Sequence, residues 1–206
     1  MMDDRVKKAF LGVALGDSYG APLEFVQSPR VLSKRVSLRH GDFRWTDDTH
    51  MTLYLAEAML EHGFGRLDLE KFGKCVGEHF VDWSKDPLTP YTSPGATCMM
   101  GAYAYARDRD WRTSGVKDFD GCGAIMRILP VVVGFGGADL PQAAAASAYV
   151  THAHPNALEA AAITAMIVRS LLDGYELTKE RVEWCVDSLR GVEFRGRELV
   201  PAEPTL

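Results

Sequence analysis

The stretch WTDDTHM at residues 45–51 places two adjacent carboxylates between two threonines, directly before an apolar, helix-forming run that reaches Leu60. Two interpretations of this stretch are open. In the first, Thr46 is the N-cap of a helix, and Asp47 and Asp48 stabilise its first turn through the helix dipole. In the second, the two carboxylates and the Thr46 hydroxyl are oxygen ligands for a hard cation such as Mg²⁺ or Mn²⁺. Motifs elsewhere in the sequence are needed to distinguish the two interpretations.

Apolar residues elsewhere recur at helical spacing, which predicts an all-α fold, a compact array of about seven helices. The predicted helices cover about residues 4–19, 46–61, 96–107, 140–153, 156–172 and 179–190, with another from about residue 68 and a short one over 124–129 that Pro130 ends. Buried helix is also preferred over strand for Val131–Val133. Asp139 and Thr178 are predicted helix caps, and Gly63 a C-cap. We expect residues 1–190 to form one domain and residues 191–206 an extended or disordered tail.

Composition narrows the class of protein. The chain has 206 residues, 47% of them hydrophobic and 25% charged, with a net charge of −5, so no basic field argues for nucleic acid or an anionic membrane surface. No apolar run approaches the ~20 residues of a membrane helix. The four cysteines are widely spaced and the first residues are acidic and polar, which favours reduced thiols and a cytoplasmic protein without a signal peptide.

Two carboxylates in the first part of the chain are candidates for a cleft. Gly12, Gly16 and Gly20 repeat every four residues on the first predicted helix, and such a smooth face lets another helix or a ligand approach closely. Asp17 lies directly beside this face. Glu24 follows in a turn between two large apolar residues, and it is either a surface glutamate or a carboxylate held at the edge of a cleft.

Two loops of small residues and one histidine complete the candidates. Residues 92–97 form a turn-rich loop that opens a helix, and residues 121–124 form a second loop with two glycines. The free N–H groups of a helix start can bind a phosphate, although every helix has such a start. His152 lies at a helix end before Pro155, where its ring can bond to backbone or point into a cleft.

Five short motifs follow one another over about residues 10–170. They are LGVALGD at 11–17 with Pro22-x-Glu24, WTDDT at 45–49, Pro94-Gly95-x-Thr97, Gly121-x-Gly123-Ala124-x-Met126-Arg127, and Thr151-His152-x-x-Pro155. In kind and in order these motifs resemble those of the ADP-ribosylglycohydrolase family. The resemblance covers nearly all of the chain.

The resemblance implies an all-α fold with a binuclear Mg²⁺ or Mn²⁺ centre. It also implies hydrolysis of the bond from C1 of the distal ribose of ADP-ribose to an acceptor such as arginine, serine or a small metabolite. By the same resemblance, Thr46, Asp47 and Asp48 correspond to half of the metal site. Glu24 corresponds to the acid at the cleft mouth, so that Glu24, Asp47 and Asp48 are the catalytic candidates.

The remaining motifs correspond to ligand contacts. By resemblance, Gly95 and Thr97 of one loop and Gly121, Cys122 and Gly123 of the other line the site of the diphosphate and distal ribose. His152 corresponds to a contact on the nucleoside side of the ligand. The expected partner is an ADP-ribosylated protein or a small ADP-ribose conjugate.

The sequence departs from the family pattern in two places. The middle residue of the Gly121–Gly123 loop is normally asparagine, and Cys122 lacks its amide group. Family members also carry a late Gly-Gly-Asp-x-Asp-Thr block that supplies the other metal-binding carboxylates, and this sequence does not contain it. We therefore expect a C-terminally shortened fold that holds at most one cation well and exposes apolar faces that favour self-association.

Three functions remain open at this point. The first is a family member that keeps the fold but has little or no hydrolase activity. The second is an active hydrolase whose missing ligands come from another chain, or from Asp17, Asp118 or Asp120. The third is a module that binds ADP-ribose or a related nucleotide without cleaving it.

Overall fold

A computed structural model describes residues 4–24 and 44–190, and the backbone of residues 192–195 and 198–201. The described part is built almost entirely of α-helices, which confirms the predicted fold class. The helices are α1 (Asp4–Gly20), α2 (Asp47–His62), α3 (Leu69–Lys85), α4 (Ala96–Asp108), α5 (Trp111–Ser114), α6 (Leu129–Gly134), α7 (Asp139–Tyr149), α8 (Pro155–Leu172) and α9 (Lys179–Ser188). Short 3₁₀ helices cover Ala21–Leu23 and Thr89–Tyr91.

Local capping chemistry fixes several helix ends where the sequence predicts them. The hydroxyl of Thr46 accepts a hydrogen bond from the backbone N–H of Asp48 at the start of α2. Thr178 accepts one from the backbone N–H of Arg181 at the start of α9. Gly63 ends α2 with a φ of +89°, a left-handed conformation that glycine adopts without a steric cost.

Two predicted boundaries are wrong. Residues 124–127 form turns, and Pro130 lies in the first turn of α6 instead of ending a helix, because its missing N–H has no partner to lose there. The N-cap of α7 is Ala138, without a side-chain bond. Asp139 accepts from the backbone N–H of Leu67 at 3.0 Å, and so it ties the α2–α3 connection to α7.

The core lies between α2, α3, α6, α7 and α8. Its largest fully buried residues come mainly from α2 and α3, among them Met51, Leu55, Phe72, Phe80 and Trp83. The four alanines at residues 143–146 are all buried, since small side chains let α7 pack closely on α8. The sequence prediction missed α5, whose buried Trp111 packs its indole over a glycine of α3.

The first helix lies at the edge of this core. It contacts α2 and α6, but none of its described residues is buried, and Leu11 and Leu15 are more than 60% exposed. Self-association through such faces remains a prediction. Among the described residues, no helix combines the length and apolar character needed to cross a membrane, and the cytoplasmic location also remains a prediction.

Part of the expected tail is paired in a hairpin. Strands β1 (Val192–Arg195) and β2 (Glu198–Pro201) are antiparallel, with Val192 opposite Pro201 and Arg195 opposite Glu198. The backbone of β1 lies against α8 and that of β2 against α7. The domain boundary at residue 190 remains a prediction.

Candidate functional site

Two clefts meet beside the start of α2. The glycine cleft, of about 570 Å³, is lined by the face of α1 that carries Gly12, Gly16 and Gly20. The loop cleft, of about 400 Å³, is lined by residues 93–98, residues 121–123, Asp47 and His152. Glu24, Asp48 and Met126 line both clefts. A ligand longer than one cleft would therefore pass these three residues.

Asp17 joins α1 to the start of α2. Its Oδ1 accepts from the Thr46 hydroxyl at 2.7 Å, and its Oδ2 accepts from the backbone N–H groups of Thr46 (2.8 Å) and Thr49 (3.1 Å). The Thr49 hydroxyl also donates to Oδ2, at 2.5 Å. Both oxygens of Asp17 are thus used in holding the two threonines, and the first turn of α2 is capped by a side chain from another helix.

Asp47 is held between α2 and the loop that precedes α4. Its backbone N–H donates to the carbonyl of Thr92 at 2.7 Å, and its Oδ2 accepts from the backbone N–H of Gly95 at 2.9 Å. The residue is only 4% exposed. Burial raises the pKa of Asp47 to about 6, helped by the charges of Asp48 and Glu24 and opposed by the Gly95 N–H.

The two neighbouring carboxylates experience the same crowding. Burial raises the pKa of Asp48, the charge of Asp17 adds to the effect, and the Thr46 hydroxyl, 3.1 Å from its Oδ2, opposes it. The pKa of Glu24, which follows the first 3₁₀ helix, is raised by burial and then by the charges of Asp48 and Asp17. Negative charge is therefore concentrated where the two clefts meet.

These residues carry donor atoms of the kind that hard cations prefer. Carboxylate and hydroxyl oxygens are the donor type that Mg²⁺ and Mn²⁺ select, and burial raises the pKa of both Asp47 and Asp48. Within the described ranges, however, no three His, Cys, Asp or Glu side chains are arranged to hold a metal ion. Asp118 and Asp120, considered as further ligands, are exposed and line neither cleft.

The first loop brings a helix start to the loop cleft. Gly95 is the N-cap of α4, so the first N–H groups of this thirteen-residue helix receive no hydrogen bond from an N-cap side chain. Thr97 lies in this first turn and lines the cleft. The preceding Ser93 has a φ of +56°, which turns the chain sharply into the helix.

The second loop is packed tightly on its inner side. A β-carbon on Gly123 would lie 3.0 Å from both the sulfur of Cys98 and Cε1 of His152, so only glycine fits there without a shift. A β-carbon on Gly121 would lie 3.9 Å from Nε2 of His152, which is an ordinary contact. Cys122, between them, is an exposed free thiol that also lines the cleft.

His152 forms the floor of the loop cleft beside these glycines. Its backbone pairs with Val116 in an isolated bridge, and its Nδ1 lies 2.8 Å from the hydroxyl of Thr151. The residue is 2% exposed. Burial, with the charge of Arg127 as a second cause, lowers the pKa of His152 to about 3, so the ring is neutral at physiological pH.

Sequence reasoning assigned no role to Arg127, although it quoted the residue in a motif. Its side chain is fully buried, donates from Nη1 to the carbonyl of Gly123 and from Nη2 to the hydroxyl of Thr151, both at 2.6 Å, and lies 4.5 Å from the ring centre of Phe80. No carboxylate in the described residues forms an ion pair with it. The available signal was a charged residue within an otherwise apolar run of residues 124–133.

The sequence and fold of this chain are similar to those of known proteins. The model of the ADP-ribosylglycohydrolase family matches residues 1–203. An ADP-ribosyl-[dinitrogen reductase] glycohydrolase of Rhodospirillum rubrum is 30% identical over 182 residues, which are 83% of this chain and 59% of that protein. An ADP-ribosylarginine hydrolase of Serratia proteamaculans is 39% identical over 85 residues, or 39% of this chain and 21% of that protein.

A solved structure gives the same result for the fold. It is described as an ADP-ribosylglycohydrolase-related protein complex, and it superposes with a TM-score of 0.68 at 30% identity, covering 91% of this chain and 62% of that one. The chain thus spans less than two thirds of the length of this structure, and 59% of the length of the Rhodospirillum relative.

Proposed function

The chain belongs to the ADP-ribosylglycohydrolase family, and on that basis we propose that it hydrolyses the bond between C1 of the distal ribose of ADP-ribose and an acceptor. The observation that carries the proposal is the junction of the two clefts at Glu24 and Asp48. With the diphosphate against the loop cleft, the distal ribose reaches these carboxylates and the acceptor extends into the glycine cleft. The proposed substrate is an ADP-ribosylated protein or a small ADP-ribose conjugate.

The crowded carboxylates suit this chemistry. Cleavage of a glycosidic bond passes through an oxocarbenium-like state, and the negative charges of Asp47 and Asp48 would stabilise the positive charge that develops on the ribose. Glu24 lies at the exposed end of the cluster. Its raised pKa brings it closer to the range in which a carboxyl group can donate and accept a proton near neutral pH.

The proposed cofactor is Mg²⁺ or Mn²⁺, held through Thr46, Asp47 and Asp48. A cation bound there supplies orientation of the ribose hydroxyls and a lower pKa for a bound water. Asp17 would act in this arrangement as a support, because its four hydrogen bonds hold Thr46 and Thr49 in place. The loop N–H groups of residues 95–97 and 121–123 would bind the diphosphate.

A second candidate function is binding of ADP-ribose without cleavage. The observation in its favour is that the described residues provide no complete ligand set for a metal ion. In this case the loop cleft would still bind the diphosphate, but Glu24, Asp47 and Asp48 would not catalyse hydrolysis.

One pair of measurements separates the two functions. Release of ADP-ribose from an ADP-ribosylated peptide is measured with Mg²⁺ and with Mn²⁺, and binding of free ADP-ribose is measured by calorimetry. The variants Glu24→Gln and Asp48→Asn are compared with Asp118→Asn, an exposed acid outside both clefts. Hydrolysis that is lost in the first two variants and kept in the third supports the hydrolase. Binding without hydrolysis supports the binding module, and the absence of both contradicts both proposals.

A further inference from the structure

A chain of three buried side chains leads from the core to the floor of the loop cleft. Arg127 is fully buried, Thr151 is fully buried and His152 is 2% exposed. Nη2 of Arg127 donates to Oγ1 of Thr151 at 2.6 Å, and Oγ1 of Thr151 lies 2.8 Å from Nδ1 of His152. The direction of the second bond decides which ring nitrogen of His152 carries the proton.

The donors and acceptors around Thr151 favour donation from its hydroxyl to Nδ1 of His152. The guanidinium of Arg127 can only donate, so it occupies a lone pair on the Thr151 oxygen. The single hydroxyl proton of Thr151 then has two acceptors, Nδ1 of His152 at 2.8 Å and the carbonyl of Ala148 at 3.4 Å. If Nδ1 donated instead, the Thr151 oxygen would accept from two donors and its own proton would have only the 3.4 Å contact to Ala148, near the outer limit of a hydrogen bond, so the hydroxyl proton is assigned to Nδ1. A neutral imidazole with an accepting Nδ1 carries its own proton on Nε2.

The Nε2 atom faces the loop cleft. It lies on the side of the ring next to Gly121 and Gly123, and it makes no hydrogen bond with any described residue. The backbone of His152 is fixed as well, because its N–H donates to the carbonyl of Ala148 at 2.7 Å and the flanking residues pair with Val116. The ring therefore presents one polar atom to the ligand in a fixed position.

We propose that Arg127, acting through Thr151, is a positioning residue that holds His152 as the Nε2–H tautomer, so that the loop cleft presents an N–H donor to a phosphate oxygen of its ligand. The identity of the ligand as an ADP-ribosyl group rests on the proposed function, whereas the tautomer does not. A phosphate oxygen at neutral pH is an acceptor without a hydrogen of its own, and the opposite tautomer would meet it with a lone pair.

The same arginine holds the neighbouring part of the site. Its Nη1 donates to the carbonyl of Gly123 at 2.6 Å, so this carbonyl is already hydrogen-bonded to a side chain of the core. An anion placed beside His152 and Gly123, at the end of the cleft away from Glu24 and Asp48, then meets the Nε2–H donor and a carbonyl that is already hydrogen-bonded. One buried cation thus prepares both the histidine and the glycine loop for negative charge.

The test reads the tautomer in the free protein. Histidine is labelled with ¹⁵N, and the ring nitrogens of His152 are observed by two-bond ¹H–¹⁵N correlation near neutral pH, with the signal assigned by its loss in His152→Gln. We expect a protonated Nε2 and an unprotonated Nδ1 in the unmodified protein and in Thr151→Ser, which keeps the hydroxyl. In Thr151→Val, which removes the hydroxyl with little change in volume, we expect a mixture of tautomers.

Binding of ADP-ribose by the same variants is then compared by calorimetry. Thr151→Val should bind roughly tenfold more weakly, the cost of about one hydrogen bond, while Thr151→Ser stays close to the unmodified protein. Arg127→Lys, checked for folding by circular dichroism, should also shift the tautomer, because a lysine cannot donate to both oxygens in the same geometry.

The outcomes separate this inference from the proposed function. A proton on Nδ1 in the unmodified protein, or a tautomer unchanged in Thr151→Val, overturns the inference even if ADP-ribose binds. A folded Arg127→Lys with the original tautomer removes the role of the arginine. Failure of ADP-ribose to bind, with the Nε2–H tautomer present, overturns the proposed ligand and leaves the relay in place.

Discussion

Replacing Asp47 with asparagine should stabilise the cation-free protein above about pH 6. The pKa of Asp47 is raised from 3.8 to about 6, and each unit corresponds to about 1.36 kcal/mol, so ionising the carboxylate costs the folded state at most about 3 kcal/mol. Because the pKa is higher in the folded state, protonated Asp47 stabilises the fold. This contribution to the free energy of unfolding is fully present below pH 3.8 and is lost as the pH rises through about 6. Asparagine does not ionise, and its amide oxygen can still accept from the Gly95 N–H.

The assay is urea unfolding between about pH 4 and about pH 8 in the presence of a chelator. The free energies of unfolding of the two proteins should diverge with rising pH, by up to about 3 kcal/mol in favour of Asp47→Asn, whereas Asp118→Asn should follow the unmodified protein. Addition of Mn²⁺ should then stabilise the unmodified protein more than Asp47→Asn. Parallel profiles of unfolding free energy against pH for the two proteins would refute the reasoning, since they would mean that folding does not raise the pKa of Asp47.

Three further predictions use other parts of the site. The lowered pKa of His152 favours the neutral ring in the folded state. Relative to His152→Gln, the unmodified protein should therefore lose up to about 5 kcal/mol of stability as the pH falls from about 6.5 towards about 3. Equal acid unfolding of the two proteins would contradict this. Asp17→Asn should cost about 1–3 kcal/mol in urea unfolding, since an amide nitrogen takes the place of one of the two oxygens that together accept four hydrogen bonds, and an unchanged midpoint would show that the replaced oxygen is dispensable. Gly123→Ala should destabilise the protein by about 1–3 kcal/mol while Gly121→Ala stays nearly neutral, and thermal melts that coincide would argue against the tight packing of the loop.

The sequence predicted those features of the fold that depend on neighbours in the chain. The caps at Thr46 and Thr178 accept from N–H groups two or three residues ahead, so their chemistry is visible in a short window. Asp139 looked equally suitable as a cap, but its oxygen accepts from Leu67, which lies 72 residues away. A local rule cannot detect a competing partner that only the folded chain brings close.

The same limit applies to the candidate site. Residue type and motif order pointed to Glu24, Asp47, Asp48 and the two loops, and the structure brings these residues together at the clefts. The role of Asp17 as the cap of α2 depends on contacts across 29 to 32 residues, so it could not be read from spacing. The glycine face of α1 was expected to allow a close approach, and its β-carbon positions are open among the described residues because the face lines a cleft.

The two interpretations of the opening stretch can now be weighed by their energies. Thr46 is the N-cap of α2, as the first interpretation holds. A helix dipole, however, stabilises an acid in the first turn by only about 0.3–1 kcal/mol, whereas the raised pKa of Asp47 corresponds to a cost of about 3 kcal/mol. Two acids whose only role is to interact with the helix dipole would be expected in solvent. Burying Asp47 and Asp48 beside Asp17 and Glu24 costs more free energy than the interaction with the dipole provides. A cation bound at this position would offset the cost of burying the carboxylates, so the observed capping by Thr46 is compatible with the proposed cation binding.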